Sequence, residues 1–288
     1  MTRHRKPTLA AIRDNPTLHP RAVALVRERF PRLKWHLHAD SPDSSQAFAL
    51  SAFLPVLEFP DKDQILDAFV THALPIIPSR ADRSWDVLPE YSSPRLMWES
   101  GKGEPTAIDI LLVAEDAVVC VESKFRVDSR QGWGKCSQPP RLCNGFHGPG
   151  SDWKGTAAGC RLELPDGDRG PRLYWQVARR YFREEVLVEQ IPPAVCPFLS
   201  DYQLMRNFLF AARYAEEAAM PCFGGIGIVP AARAAPLAAG VERFKRELLL
   251  PGAAERLAVA SYEDYVALLG AASAEEQELA SFLAGLLG

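Results

Sequence analysis

Two apolar runs separated by a short turn constrain this chain more than any other feature. Residues 106–115 and 117–126 are rich in Val, Ile and Leu, and Glu115 and Asp116 stand where the runs meet. Runs of this composition and length, joined by a polar pair, are typical of two antiparallel strands. We therefore predict a β-hairpin over residues 106–126.

Three charged residues interrupt this otherwise apolar hairpin. Glu122 and Lys124 are two residues apart, so their side chains leave the same face of the second strand. The turn lies midway between Asp109 and Glu122, which places these two carboxylates close together across the strand pair. Burying charge in such a context is costly unless the charge is paired or binds a metal. The pattern predicts that two carboxylates and an ammonium group converge at one end of the hairpin.

This set of groups suits phosphodiester cleavage. Asp109, Glu122 and the backbone carbonyl of Ser123 would supply the hard oxygen ligands that Mg²⁺ prefers. A bound ion polarises the phosphate and lowers the pKa of a bound water. Lys124 would orient or deprotonate that water and offset charge in the transition state. The alternative is a structural Glu–Lys pair on a half-exposed strand.

The remaining patterns place the hairpin in an α/β order. Helical spacing covers residues 46–58, with a break at Pro55, and residues 61–74. A short strand is predicted at 96–99, a helix at 173–187 and a buried strand at 223–230. Helix, three strands, helix and strand together predict an α/β sandwich around a mixed sheet.

The same patterns divide the chain into three parts. Residues 1–45 mix basic, polar and proline residues and are expected to form a lead-in over the surface. Residues 46–230 form the predicted core, with a long irregular loop at 127–171. Loops of this length inside a compact domain are usually functional or disordered. Residues 231–288 are predicted to be a helical C-terminal extension.

The segments 105–109 and 121–124 resemble the signature of the PD-(D/E)XK, or restriction-endonuclease-like, nuclease superfamily. In that superfamily an Asp at the start of the second core strand and a Glu-x-Lys in the third form the metal site. These residues correspond to Asp109, Glu122 and Lys124 here. The resemblance implies an αβββαβ core, here with extra C-terminal helices, and Mg²⁺ as cofactor, for which Mn²⁺ can substitute.

The chain departs from the usual superfamily signature at the proline before the Asp, and it also resembles a narrower group. The proline that usually stands directly before the Asp is Pro105 here, with Ile108 in its place. More loosely, the segments 44–50, 105–109 and 173–175 look like a bacterial group described as restriction endonucleases.

The superfamily also uses an acid upstream of the hairpin. We prefer Glu99, because it would end the strand expected beside Asp109. The other candidates for this acid are Glu58, Glu90 and Glu104.

The helix after the long loop is a second place where the resemblance implies roles. In members similar to RecB and lambda exonuclease, a Gln on this helix, followed four or five residues later by Tyr or Arg, lines the site. Gln176, Arg180 and Tyr181 fit that spacing, and Gln176 and Arg180 share a helix face. Gln176 is therefore a catalytic candidate, and Arg180 and Tyr181 are nucleic-acid-binding candidates. The alternative is an ordinary amphipathic helix.

Basic and aromatic residues in the middle of the chain predict contact with nucleic acid. Arg126, Lys135 and Lys154 lie near Trp133 and Trp153, and such a mixture can contact phosphates and stack bases. The alternative is a loop packed down by its own tryptophans.

Three cysteines in the long loop give a weak metal signal. Cys136, Cys143 and Cys160 could bind zinc or an iron–sulfur cluster, with His147 nearby. None of these cysteines forms the tight Cys-x-x-Cys pair that marks such sites.

We therefore predict a Mg²⁺-dependent DNA endonuclease, a deoxyribonuclease with a restriction or defence role. The alternatives are an exonuclease or branched-DNA repair nuclease of the same superfamily, and a catalytically silent nucleic-acid-binding protein. DNA is the expected partner, and a homodimer stays open because restriction enzymes of this fold are often dimers. The sequence contains neither a transmembrane-length apolar run nor a signal peptide, so a cytoplasmic protein is expected.

Overall fold

The computed structural model describes residues 7–97, 105–126, 133–134, 174–187, 198, 201–269 and 273–288. Within them, one five-stranded sheet has the order β1-β2-β3-β4-β5. The first three strands are antiparallel neighbours, and β3, β4 and β5 run parallel to one another. The α/β class and the mixed sheet are therefore confirmed. The strands are β1 Asp86–Ser92, β2 Ala107–Val113, β3 Ala117–Ser123, β4 Cys222–Val229 and β5 Leu257–Ser261.

Helices cover both faces of this sheet. Four precede the strands among the described residues: α1 Leu9–Ile12, α2 Pro20–Arg29, α3 Ser45–Phe53 and α4 Lys62–Ala73, with a 3₁₀ turn at Pro55–Glu58 after α3. Within the described part of the chain between β3 and β4 lie α5 Tyr174–Ala178, α6 Glu184–Leu187 and α7 Tyr202–Glu217. The last group is α8 Ala231–Leu248, α9 Pro251–Ala254, α10 Tyr262–Leu268 and α11 Ala274–Leu287. No helix of the described part is both long and apolar enough to cross a membrane.

The central strands are buried on both sides, and alternate residues enter two different cores. Val119 and Val121 of β3 pack with α3, α4, α10 and α11, whereas Val118 and Cys120 pack with α7 and α8. This alternation follows from the two-residue period of a strand. It explains why β3 carries an almost continuous apolar run.

The hairpin has the register that its sequence predicts. Ile110 pairs with Val121 and Val113 pairs with Val118, and the amide of Ala114 donates to the carbonyl of Ala117 at 2.8 Å. Continuing the same register places Asp109 opposite Glu122. The predicted helices over 46–58 and 61–74 and the predicted strand over 223–230 are confirmed as α3 with its 3₁₀ turn, α4 and β4.

A buried arginine ties the hairpin turn to α4. The Arg83 guanidinium donates to Asp116 in the turn at 2.8 and 2.9 Å, and to Asp67 of α4 at 2.7 Å. Arg83 holds the pKa of Asp116 below its usual range. Because the two carboxylates bind one guanidinium, the turn is fixed to the helix that covers the sheet.

The strand before the hairpin lies earlier than predicted. β1 covers Asp86–Ser92, whereas Leu96 and Met97, the described half of the predicted strand, lie in a turn and a loop. Pro89 makes β1 hard to recognise, because proline cannot donate a ladder hydrogen bond and is confined to edge strands. β1 is an edge strand of this sheet, so Pro89 is tolerated.

Three further predictions need correction. The helix expected over 173–187 consists of two short helices, α5 and α6, and the long helix that packs on β3 and β4 is α7. The C-terminal segment expected to be helical also supplies β5, which pairs with β4. The lead-in also differs, because Leu25, Val26 and Trp35 are buried in the core that includes α3.

Candidate active site

A cluster of charged side chains lies at the carboxyl end of β3, between α3 and α7. Glu122 is 3% exposed, and the Lys124 ammonium donates to Glu122 Oε1 at 2.6 Å. Asp109 lies on the neighbouring strand, where its Oδ2 accepts from the Ser123 amide at 3.0 Å. The two carboxylates and the ammonium predicted from the hairpin are therefore brought together.

The surroundings of Asp109 disfavour the ionised form of its carboxyl group. Loss of hydration, followed by the negative charges of Glu122 and Glu90, raises the pKa of Asp109 to about 7. Lys124 and His36 act in the opposite direction. A carboxylate in this position would gain from a cation placed between it and its acidic neighbours.

Glu122 stays ionised although it is buried. Burial would raise the pKa of Glu122, but the charges of Lys124 and Arg206 and the hydrogen bonds from Lys124 and Asn207 lower it below its usual range. Asn207 donates to Glu122 Oε2 at 2.6 Å, and Arg206 approaches the same oxygen at 3.8 Å. Both oxygens of this carboxylate are thus engaged.

Helix α7 supplies three polar side chains to the cluster. Gln203 accepts through Oε1 from the Lys124 ammonium at 2.8 Å, and Arg206 and Asn207 lie one turn further along, beside Glu122. Residues three and four apart share a helix face. Gln203, Arg206 and Asn207 were not among the predicted site residues. Their spacing of three and four residues, on one face of the helix Tyr202–Glu217, is the signal that could have found them.

Glu90 of β1 is the upstream acid that lies beside Asp109 among the described residues. Its backbone φ is +48°, a left-handed value that costs free energy in a non-glycine residue and often marks a functional position. The β1–β2 register places Glu90 opposite Asp109. Glu90 Oε1 is buried and makes no hydrogen bond with a described residue. The preferred candidate, Glu99, and the alternative Glu104 lie outside the described residues, and Glu58 pairs with Arg21 at 2.7 Å.

His36 reaches the cluster from the loop between α2 and α3. Its Nε2 lies 3.2 Å from Glu90 Oε2, and this hydrogen bond raises the pKa of His36 to about 8. The buried Gln46 side chain fixes the loop, because its Oε1 accepts from the His36 amide and its Nε2 donates to the Lys34 carbonyl, each at 2.8 Å. No sequence pattern marked His36 as a site residue.

Ser123 ties the end of β3 to the opposite layer. Its hydroxyl lies 2.6 Å from the Tyr262 hydroxyl and donates to the Ser45 carbonyl at 3.1 Å. The Phe125 amide donates to the Ser45 hydroxyl at 3.0 Å, and Phe125 stacks on Phe48 with 3.9 Å between ring centroids. These contacts hold the Glu-Ser-Lys segment against the beginning of α3.

Two residues of the long loop, Trp133 and Gly134, are hydrogen-bonded to the N-terminus of α7. Their carbonyls accept from the amides of Gln203 and Tyr202, each at 3.0 Å, which satisfies two amides that a helix N-terminus leaves free. Trp133 is fully buried, and its indole donates to the Leu237 carbonyl at 2.9 Å. Gly134 has φ +84°, and a Cβ there would stand 2.6 Å from Gln203 Cδ.

The other predicted site residues lie away from this cluster. Gln176 is exposed, and no hydrogen bond links it to the cluster. Arg180 pairs with Glu216 in the last turn of α7 at 2.5 Å, and the Tyr181 ring packs on Phe223 at the other end of β4. Arg126 pairs with Asp43 at 3.2 Å on the surface. The candidates Lys135, Lys154, Cys136, Cys143 and Cys160 lie outside the described residues.

The cluster has the chemistry that a divalent cation needs. Within the described residues no group of three or more His, Cys, Asp and Glu side chains is arranged to hold a metal ion. Mg²⁺, however, is commonly held by one or two carboxylates together with water and substrate phosphate. Asp109 and Glu90 offer such a pair, because Glu90 Oε1 is buried without a hydrogen bond to a described residue, and burial together with the charges of Glu122 and Glu90 raises the pKa of Asp109. The residues therefore fit the ion.

A mixed sheet with a buried Asp–Glu–Lys cluster at the end of its hairpin agrees with the nuclease resemblance of the sequence. The chain belongs to the family described as "Restriction Endonuclease associating with ARP", which matches residues 6–285. This membership supports a restriction-endonuclease-like family and associates the chain with nuclease activity and defence. No curated protein and no solved structure shows significant similarity to the chain.

Proposed function

We propose that this chain is a metal-dependent DNA endonuclease that hydrolyses phosphodiester bonds in restriction or another defence role. The observation that carries the proposal is the convergence of Asp109, Glu122 and Lys124 at the end of the hairpin, with Glu90 beside them. Buried carboxylates beside an ammonium group are costly in free energy, and a bound metal ion would both offset their charge and promote hydrolysis. Membership in a restriction-endonuclease family supports the same reaction.

The proposed metal ligands are Asp109, Glu122, Glu90 and the carbonyl of Ser123. When bound, Mg²⁺ supplies a Lewis acid that polarises the phosphate and makes a bound water more acidic. Lys124, held between Glu122 and Gln203, would orient the attacking water and offset developing negative charge.

The α7 residues would keep this arrangement in place. Asn207 and Arg206 hold Glu122 ionised and oriented, so that it can in turn position the Lys124 ammonium. Gln203 takes a second hydrogen bond from that ammonium and restricts its direction. A positioned donor contributes more to catalysis than a mobile one, because it needs no reorganisation during the reaction.

An exonuclease of the same superfamily is the second candidate, because a glutamine, Gln203 of α7, contacts the Lys124 ammonium. The sequence resemblance to RecB-like nucleases rests instead on Gln176 of α5, which lies away from the cluster. Supercoiled and linear duplex DNA distinguish the two activities, because only an endonuclease opens a closed circle. A catalytically silent DNA-binding protein would bind both substrates and cleave neither.

The test is incubation of the purified chain with supercoiled plasmid in Mg²⁺ or Mn²⁺, beside the same reaction in EDTA. We expect metal-dependent nicking or linearisation of the plasmid. Degradation of linear DNA alone would favour the exonuclease. Absence of cleavage on duplex, single-stranded and branched DNA would refute the nuclease.

A further inference from the structure

A run of exposed cations leads across the surface to the candidate site. Arg27 and Arg29 lie in the last turn of α2, and Arg32 and Lys34 follow it. We call these four residues the α2 basic segment. Their side chains are exposed and make no hydrogen bond or ion pair with any described residue. Between residues 27 and 38 the only acid is Glu28.

This lack of partners is not general among the described arginines. Arg21, only six positions before Arg27, pairs with Glu58 at 2.7 Å, and Arg126 pairs with Asp43 at 3.2 Å. Cations in the last turn of a helix are favoured by the helix dipole, which accounts for Arg27 and Arg29. It does not account for Arg32 and Lys34, which lie beyond the helix.

The structure fixes the end of the α2 basic segment beside the reacting groups. Trp35 is buried, Gln46 holds the backbone of Lys34 and His36, and His36 contacts Glu90 at 3.2 Å. Two residues of chain span at most about 7 Å and four span about 14 Å. Lys34 and Arg32 are two and four residues from His36, so their backbones lie within those distances of the backbone of His36, whose side chain contacts Glu90.

Duplex DNA is the polyanion whose charge spacing suits this arrangement. It carries about one phosphate charge per 1.7 Å of axis, so several phosphates flank any bond presented to Asp109. The three carboxylates of the site repel these phosphates, whereas unpaired cations beside the site attract them. The chain as a whole has a net charge of −3, so the attraction must come from local patches.

We propose that the α2 basic segment binds the backbone phosphates of duplex DNA that flank the bond placed at Asp109. The inference rests on the proposed function and adds a surface that binds the DNA substrate on one side of the scissile bond. It assigns the DNA path to residues near the N-terminus of the chain, separate from Arg126 and from Arg180 and Tyr181, which follow α5.

The test compares two triple variants of the full chain with equal loss of charge. The first is Arg29→Gln, Arg32→Gln and Lys34→Gln. The control is Arg179→Gln, Lys245→Gln and Arg246→Gln, at the far end of the molecule. There the Arg183 amide donates to the Leu248 carbonyl and the Leu250 amide donates to the Tyr181 carbonyl, beside the beginning of β4. Five of the six side chains are exposed and Lys245 is partly exposed, so both variants should fold, and thermal unfolding checks this.

The readout is the affinity for a labelled duplex in EDTA, measured by fluorescence anisotropy over a range of salt concentrations. Each phosphate contact contributes about 0.9 to the slope of log K against log salt. Loss of three contacts should lower the slope by about 2.7, so wild type would lose about 40-fold more affinity than the variant between about 50 and 200 mM salt. The control should keep the wild-type slope.

The outcomes separate this inference from the proposed function. A reduced slope in the first variant alone supports the α2 basic segment. Equal slopes in wild type and both variants, while wild type still cleaves plasmid, would overturn the inference and leave the nuclease standing. A wild-type chain that neither binds nor cleaves duplex DNA would overturn both.

Discussion

Replacing Gly134 by alanine tests whether the contact of Trp133 and Gly134 with the N-terminus of α7 positions Gln203 and, through it, Lys124. The backbone φ of +84° is left-handed, and a side chain there costs about 1 to 2 kcal/mol in stability. The new Cβ would also stand 2.6 Å from Gln203 Cδ, so the Gln203 amide must rotate away. Rotation breaks its hydrogen bond with Lys124, and a bond to a charged group is worth about 1.5 to 3 kcal/mol.

If that bond orients Lys124 in the transition state, its loss should slow cleavage about tenfold to hundredfold. The assay is single-turnover cleavage of plasmid DNA, at a temperature well below the unfolding midpoint of the variant. Gly252→Ala is the matched control, because a Cβ at that position meets nothing within 4 Å. We expect this control to match wild type in rate and stability.

A double-mutant cycle locates the cause of the effect. Gln203→Ala removes the group that the new Cβ displaces, so adding Gly134→Ala to it should slow cleavage no further. A folded Gly134→Ala variant that cleaves within about twofold of wild type would refute the positioning argument. A double variant whose losses simply add would show that Gly134 acts by another route.

Three further outcomes follow from the structure. Arg83→Met leaves the carboxylates of Asp67 and Asp116 without their buried cation, and urea unfolding should show a loss of about 3 to 5 kcal/mol. Because Arg83 depresses the pKa of Asp116 in the folded state, its stabilisation is complete above the usual carboxyl pKa and is lost as pH falls through the lowered value. Stability of Asp116→Asn should therefore fall less than that of wild type below about pH 4. Tyr262→Phe removes one buried hydrogen bond to Ser123 and should cost about 1 kcal/mol in thermal unfolding, and an unchanged midpoint would contradict it.

The hairpin could be predicted because its local signals agree with one another. Two apolar runs of equal length around Glu115 and Asp116 allow one register in which Asp109 faces Glu122. The strands at its sides gave weaker signals. Pro89 makes β1 difficult to recognise as a strand. β5 is short and built partly of small residues within an alanine-rich region, so its conformation depends on pairing with β4 more than on its own composition.

The candidate site was only partly predictable for a similar reason. Asp109, Glu122 and Lys124 are local in sequence, and the strand period brings them together. Glu90 and His36 reach them through a left-handed backbone position and a loop held by Gln46, which no periodicity encodes. The helix expected at the site was the one holding Gln176, but that helix, α5, has only five residues, and the sixteen-residue α7 packs against both β3 and β4 instead.

The central claim is that Asp109 belongs to a metal-dependent nuclease site. The most direct measurement is cleavage of supercoiled plasmid in Mg²⁺ by wild type, Asp109→Asn and the control Asp86→Asn, an exposed residue on β1. We predict that wild type and Asp86→Asn cleave, that EDTA abolishes the cleavage, and that Asp109→Asn is folded and inactive. Equal cleavage by Asp109→Asn and wild type would contradict the account.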